Sequence, residues 1–258
     1  MSDGKWSDLA PRIASAIVMI AVGTAALWFG GHVFAALGVL VAGLMFWELV
    51  TMVRPGHKAA AQQEAALGAV AMAAALYVSP GIAAIILGLL LVVMVGRTGT
   101  HPFLTAGFTA GIFLAVYGLV GLRNGSGLTW TLWLVAVVVA TDIAGYFAGR
   151  IIGGPKFWPR VSPKKTWSGT VAGWVAAVLV SYAMVLWAGL PLWTLAAGAA
   201  LSFASQMGDA AESALKRKMK VKDSSSLIPG HGGVMDRFDA MMGASLAVTL
   251  WGIVAGLA

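Results

Sequence analysis

Long apolar runs, broken only by glycine, proline and short charged clusters, recur along the whole chain and limit its possible folds more than any other feature. A helix needs about 20 mostly apolar residues to cross a bilayer. Reading breaks at Gly, Pro and charge gives nine such runs, near residues 13–30, 33–53, 64–79, 81–96, 103–121, 129–149, 168–189, 191–211 and 238–257. Inside lipid every backbone N–H and C=O has to be satisfied within the protein, so the runs predict helices. The 258 residues are 59% hydrophobic and 10% charged, whereas a soluble domain carries about a quarter charged residues. The expected fold is therefore all-α: a polytopic integral membrane protein of about nine transmembrane helices. The third and fourth runs are short and meet at Ser79-Pro80-Gly81, so a re-entrant hairpin is the alternative there and the count ranges from seven to nine.

Lysine and arginine set the orientation, because short cytoplasmic loops collect them. With nine spans and a cytoplasmic N-terminus, 16 of the 17 basic residues lie on the cytoplasmic side, leaving only Arg123 opposite. That asymmetry accounts for the net charge of +7 without a nucleic-acid partner. The first run follows Lys5 and Arg12 as a signal peptide would. Removing it does not improve the charge census, so it is read as a span. With no cysteine in the chain, disulfides, thiolate catalysis and zinc–sulfur sites are excluded. Gly107/Gly111 and Gly169/Gly173 are small-xxx-small pairs, read as ordinary close packing of helices.

Two cytoplasmic loops are long enough for chemistry, 150–168 and 216–237, and the unusual acids gather at their edges. Residues 126–258 are thus expected to be the catalytic region, with residues 1–125 as scaffold and dimer contacts. Asp3 and Asp8 belong to the tail, Glu64 reads as a solvated loop charge, and Glu48 as a structural carboxylate. Asp142 lies inside the sixth run, with Tyr146 and Arg150 on its helical face; an intramembrane carboxylate is a functional candidate, with a structural ion pair as the alternative. Asp209, Glu212, Ser213 and Lys216 share one face of the eighth helix, and Asp236 and Asp239 begin the ninth. These carboxylates offer the hard oxygen ligands that Mg²⁺ prefers. Between them Pro229-Gly230-His231-Gly232-Gly233 has the composition of an anion-cradling turn. Flanked by Lys216, Arg217, Lys220, Lys222 and Arg237, it reads as a polyphosphate site. The other loop adds the hydroxyls and ammonium groups of Ser162, Lys164, Lys165 and Thr166.

These residues resemble the phosphatidate cytidylyltransferase (CDP-diacylglycerol synthase) family. Ser213, Leu215, Lys216, Arg217, Lys222, Asp223, Pro229, His231, Gly232, Gly233, Asp236, Arg237 and Asp239 fill its signature without a gap. Upstream, Gly208, Asp209, Glu212 and Ser213 match a second block. Ser162 to Gly169 match a third, with Ser168 where glutamate is usual, and Thr141-Asp142 to Arg150 resemble a fourth. Residues 1–125 match only as apolar spans. The resemblance implies condensation of CTP with phosphatidic acid, a homodimer, and dependence on Mg²⁺ with a second cation in reserve. It implies Asp209, Asp236, Lys216, Asp239 and His231 as the catalytic set, and Asp209, Asp236 and Glu212 as metal ligands. Lys164, Lys165, Ser162, Thr166, Ser213, Arg217, Lys222, Asp223, Gly232, Gly233, Arg237 and Asp142 are then expected to bind substrate among the membrane lipids. The expected location is a bacterial inner (plasma) membrane, with the site on its cytoplasmic side.

Rival readings are a CTP-dependent transferase or kinase acting on another lipid and, from a different class, a lipid or anion transporter. Transporters place ionisable groups near the midplane between internal repeats. Here the acids sit near helix ends and no repeat is evident.

Overall fold

Every apolar run becomes a helix. The computed structural model describes residues 9–99 and 101–255, so Asp3, Lys5 and Asp8 lie outside the described residues. In chain order the helices are α1 (Leu9–Phe29), α2 (Gly31–Val53), α3 (Lys58–Ala75), α4 (Pro80–Thr98) and α5 (Pro102–Gly121). They continue with α6 (Leu128–Ile151), α7 (Trp167–Ala188), α8 (Thr194–Lys218) and α9 (Met235–Val254). Pro80 and Pro102 open α4 and α5, where the missing proline N–H breaks no helical bond. Six helices, α1, α2, α4, α5, α6 and α7, are long and apolar enough to cross a membrane. The other three carry the polar residues of the fold, chiefly on α8 and at the start of α9.

Large apolar side chains also cover the outside, among them Ile17 and Ile20 on α1, Val92 on α4 and Leu179 and Leu186 on α7. An apolar exterior suits a lipid solvent. Association in lipid has to come from close packing and interhelical hydrogen bonds, and both are present. Trp133 Nε1 donates to Ser181 Oγ at 2.9 Å, joining α6 to α7, and Thr141 Oγ1 donates to Ser202 Oγ at 2.8 Å, joining α6 to α8. Trp174 Nε1 donates to Gln206 Oε1 at 3.1 Å, holding α7 on α8. One core gathers on α2 to α5 around Phe46, Leu49, Met72, Met94 and Phe113. A second lies among α6 to α9 around Trp133, Leu134, Val137, Leu201 and Ala244. α9 packs on both α5 and α8 and so joins the two. A Cβ at Gly208 would strike Asp239 O, and one at Gly243 would strike Ala204 O, so α8 and α9 touch backbone to backbone.

Two local readings change. Glu64 is no solvated loop charge: it is buried in α3 and pairs with Arg54 at 3.3 Å. The Pro55-Gly56 turn folds α3 back along α2, which brings the two side chains together. The segment between α6 and α7 is not a plain loop either. It forms an antiparallel hairpin of β1 (Lys156–Trp158) and β2 (Ser162–Thr166), with Lys156 opposite Thr166 and Trp158 opposite Ser162.

Candidate active site

The connection from α8 to α9 is folded tightly on its own polar groups. Ile228 N–H donates to Gly232 O at 2.8 Å, and His231 N–H to Ile228 O at 2.9 Å, closing a turn over Pro229-Gly230. Gly232 has φ of 80°, a left-handed conformation that glycine adopts freely. A Cβ at Gly233 would overlap Ser224 Oγ and Glu48 Oε1, so only glycine fits there. The amides of this turn serve carboxylates of the protein. Asp236 Oδ2 accepts from Gly233 N–H, Ser224 N–H and Ser224 Oγ, each at 2.8 Å. Its Oδ1 accepts from Lys216 Nζ at 2.5 Å. Asp236 sits in the first turn of α9, ahead of the apolar stretch that begins at residue 238. Burial raises its pKa, but the Lys216 ammonium and the Gly233 and Ser224 donors outweigh burial and hold the carboxyl at about 2.

Lys216 Nζ also lies 2.6 Å from Glu212 Oε2, one helical turn back on α8. That approach is close but misaligned for a hydrogen bond, so both Glu212 oxygens are buried without an aligned donor. A second cluster stands beside the first. In β2 Lys164 is exposed, and Lys165 is half-buried and turned towards α8. Lys165 Nζ lies 2.5 Å from Asp209 Oδ2 and donates to Gln206 O at 3.2 Å. Ser213 Oγ donates to Asp209 Oδ1 at 3.3 Å. Asp142 of α6 and Asp239 of α9 are within electrostatic reach of Asp209. Carboxylates from three helices and two ammonium groups therefore meet at one end of the α6–α8–α9 bundle. Such a cluster can seat an anionic polyphosphate with cations beside it.

Comparison with known proteins decides the family. Residues 10–253 match the Cytidylyltransferase family. The chain belongs to the cytidylyltransferase family. It is 35% identical to the phosphatidate cytidylyltransferase of Brucella suis biovar 1, over 96% of this chain and 94% of that one. The phosphatidate cytidylyltransferase of Brucella melitensis biotype 1 shows the same identity and coverage. The phosphatidate cytidylyltransferase of Bacillus subtilis (strain 168) is 42% identical over 45% of this chain and 44% of its own.

In this cytidylyltransferase the residues singled out from sequence fall into three positions. Asp209, Lys165, Ser213, Glu212, Lys216, Asp236, Asp239 and Asp142 converge as described. Arg217, Lys222, Asp223 and Lys164 are exposed at the rim. Others serve the framework. Thr166 caps α7 by accepting from Gly169 N–H at 3.3 Å, and Ser162 opens β2 half-buried. Arg237 Nε donates to His231 O at 3.0 Å, and His231 Nδ1 lies 2.8 Å from Ser15 Oγ of α1. Arg150 Nη1 donates to the Tyr146 hydroxyl at 2.7 Å, and among the described residues Asp142 forms no ion pair with Arg150. Two residues bonded into this cluster lie outside the set expected from sequence: Ser224, and Glu48 on α2, which bonds to the α8–α9 connection. Their signals in the sequence were faint: one carboxylate in an apolar run and one serine in a run of three.

Proposed function

We propose that the protein transfers the cytidylyl group of CTP to phosphatidic acid, giving CDP-diacylglycerol and pyrophosphate. The observation that carries this reading is the joining of Lys165–Asp209 and Glu212–Lys216–Asp236 at one end of the bundle. It occurs in a chain whose relatives, matched over nearly their whole length, bear that activity in their names. A lipid phosphomonoester has a second pKa of about 6 and is largely a dianion at neutral pH. It needs no strong base to attack the α-phosphorus of CTP. The O–P bond to the lipid forms as the bond to the β-phosphate oxygen breaks, and pyrophosphate leaves. The protein has to align two anions and offset their repulsion. Lys216, Arg217 and Lys222 are assigned to the triphosphate, with the His231-Gly232-Gly233 turn setting Asp236 beside it, and Lys164 and Lys165 to the lipid phosphate.

The donor set suits Mg²⁺. Among the described residues no three acidic or imidazole side chains surround one point. Mg²⁺ needs only one or two carboxylates when substrate phosphates and water complete its shell. Each carboxylate group already holds an ammonium where cations concentrate, and Glu212 has oxygens with no aligned donor. Asp209 and Asp236, with Glu212 beside them, are the residues assigned to hold the ion, and Asp239 is available for a second cation. When bound, the metal neutralises charge between the reacting phosphates and on the departing pyrophosphate. The reading further takes the protein as a homodimer of a bacterial inner membrane, with residues 126–258 catalytic, residues 1–125 as scaffold, and the site facing the cytoplasm.

The test is a reaction of purified protein with CTP and phosphatidic acid, with and without Mg²⁺. CDP-diacylglycerol and pyrophosphate are expected only with the metal. Asp236→Asn, assayed as folded, membrane-inserted protein below its own Tm, should lose about 100-fold or more in turnover, as for breaking a buried charge pair. Release of CDP, or lipid movement without CTP cleavage, would overturn the reading in favour of a kinase or a transporter.

A further inference from the structure

Glu48 is the fully buried acid of α2, and among the described residues it has no hydrogen bond to its own half of the chain. All four of its hydrogen bonds cross to the α8–α9 connection. Oε1 accepts from Ser225 Oγ at 2.6 Å and from Val234 N–H at 2.8 Å. Oε2 accepts from Met235 N–H at 2.7 Å and from Ser224 Oγ at 3.0 Å. Two donors come from the start of the Ser224–Met235 segment and two from its end, so one carboxylate closes that segment into a ring. Pro229 to Gly233 lie inside the ring.

The contact has a second consequence. The first N–H groups of a helix have no partner within it, and the residue preceding α9 supplies no side-chain cap. Glu48 fills that role from another helix, bringing negative charge to the positive end of the α9 dipole. The next residue along is Asp236. Ser224 Oγ lies between the two acids, 3.0 Å from Glu48 Oε2 and 2.8 Å from Asp236 Oδ2. A hydroxyl has a single proton to donate, so the two carboxylates share it. The position of Asp236 is thereby tied to α2. Gly233 allows the arrangement, because any Cβ would push Glu48 away.

We propose that Glu48 is a positioning residue for the nucleotide: through Ser224, Ser225 and the first turn of α9, it sets the glycine turn and Asp236 in the arrangement that accepts CTP. The proposal rests on the cytidylyl-transfer reading and extends it to a residue of the N-terminal half. Glu48 touches no reacting atom in this account. Its effect should therefore appear in CTP parameters and leave the lipid's apparent affinity alone, a split that a general packing defect would not produce.

Steady-state kinetics in mixed micelles, varying CTP and phosphatidic acid separately, tests it with wild type, Glu48→Gln and Ser225→Ala. Glutamine keeps the volume but points an NH₂ at donors, orphaning the N–H of Val234 or Met235. The expected result for Glu48→Gln is a fall of roughly 10- to 100-fold in kcat/KM for CTP, the range for hydrogen bonds to a charged group. The KM for phosphatidic acid should move less than about twofold, the scatter expected where no contact is lost. Ser225→Ala, which removes one of four bonds and strands no charge, should lower the same CTP parameter by about fivefold. CTP parameters within about twofold of wild type in folded Glu48→Gln would overturn the proposal, as would parallel losses for both substrates that track a lowered Tm. If Glu48→Gln does not fold, an unchanged CTP parameter in Ser225→Ala overturns it alone. A wild-type protein that converts no CTP would defeat the underlying reading, and this inference with it, before any variant is compared.

Discussion

Asp236 shows how far one side chain's role depends on neighbours distant in sequence. In the sequence it is an acid near a basic cluster. In the fold it accepts from Lys216, Gly233 and Ser224, and these donors hold its carboxyl at about 2, below the ordinary 3.8, despite burial. A depressed carboxyl contributes stability that is complete above its unfolded pKa and is lost as pH falls through its folded one. The stability difference between wild type and Asp236→Asn should accordingly be constant above about pH 5, be largely lost by about pH 2, and approach zero near pH 1. Tryptophan fluorescence of thermal unfolding across that range measures it; a difference that persists undiminished at pH 2 would show that the ionised carboxylate is not the cause. Lys164 and Lys165 make a related point. Adjacent and chemically identical, they part in the fold: Lys164 stays exposed, and Lys165 turns in to reach Asp209 and Gln206.

Helices were legible because a run of apolar residues in lipid has only one economical backbone, and their ends fall where glycine, proline and charge stand in the sequence. The β1–β2 hairpin was not, because strands of three and five residues leave no periodic trace. The small-xxx-small pairs looked alike in sequence and differ in the fold. A Cβ at Gly169 or Gly173 would meet another helix, whereas nothing lies within 4 Å of one at Gly107 or Gly111. The α8–α9 contact at Gly208 is tighter still and sets the spacing of Asp209 and Asp239. Gly208→Ala should therefore cost about 1–3 kcal/mol through overpacking and depress activity further by parting those acids. Gly111→Ala should leave turnover unchanged and Tm unchanged or slightly raised. Thermal unfolding and turnover of the two purified variants make the comparison, and equal behaviour would refute the packing argument.

Across the whole molecule, the basic residues and the candidate site imply a sidedness that labelling can read. The chain has no cysteine, so single substitutions report without background. Lys218→Cys, exposed at the end of α8, should react with an impermeant thiol reagent only from the cytoplasmic side. Ser126→Cys, exposed beyond α5, should react only from the opposite side. Labelling of both from one side would overturn the nine-span topology expected from sequence. Composition and charge spacing were enough to establish a helical membrane protein and to mark where its charged residues gather, because both follow from how each stretch of chain meets its solvent. The partners of each charged group could not be read that way. Pairing Glu48 with Ser225, Lys165 with Asp209 or Arg54 with Glu64 depends on how helices far apart in the chain pack side by side, and that relation is absent from any local stretch of residues.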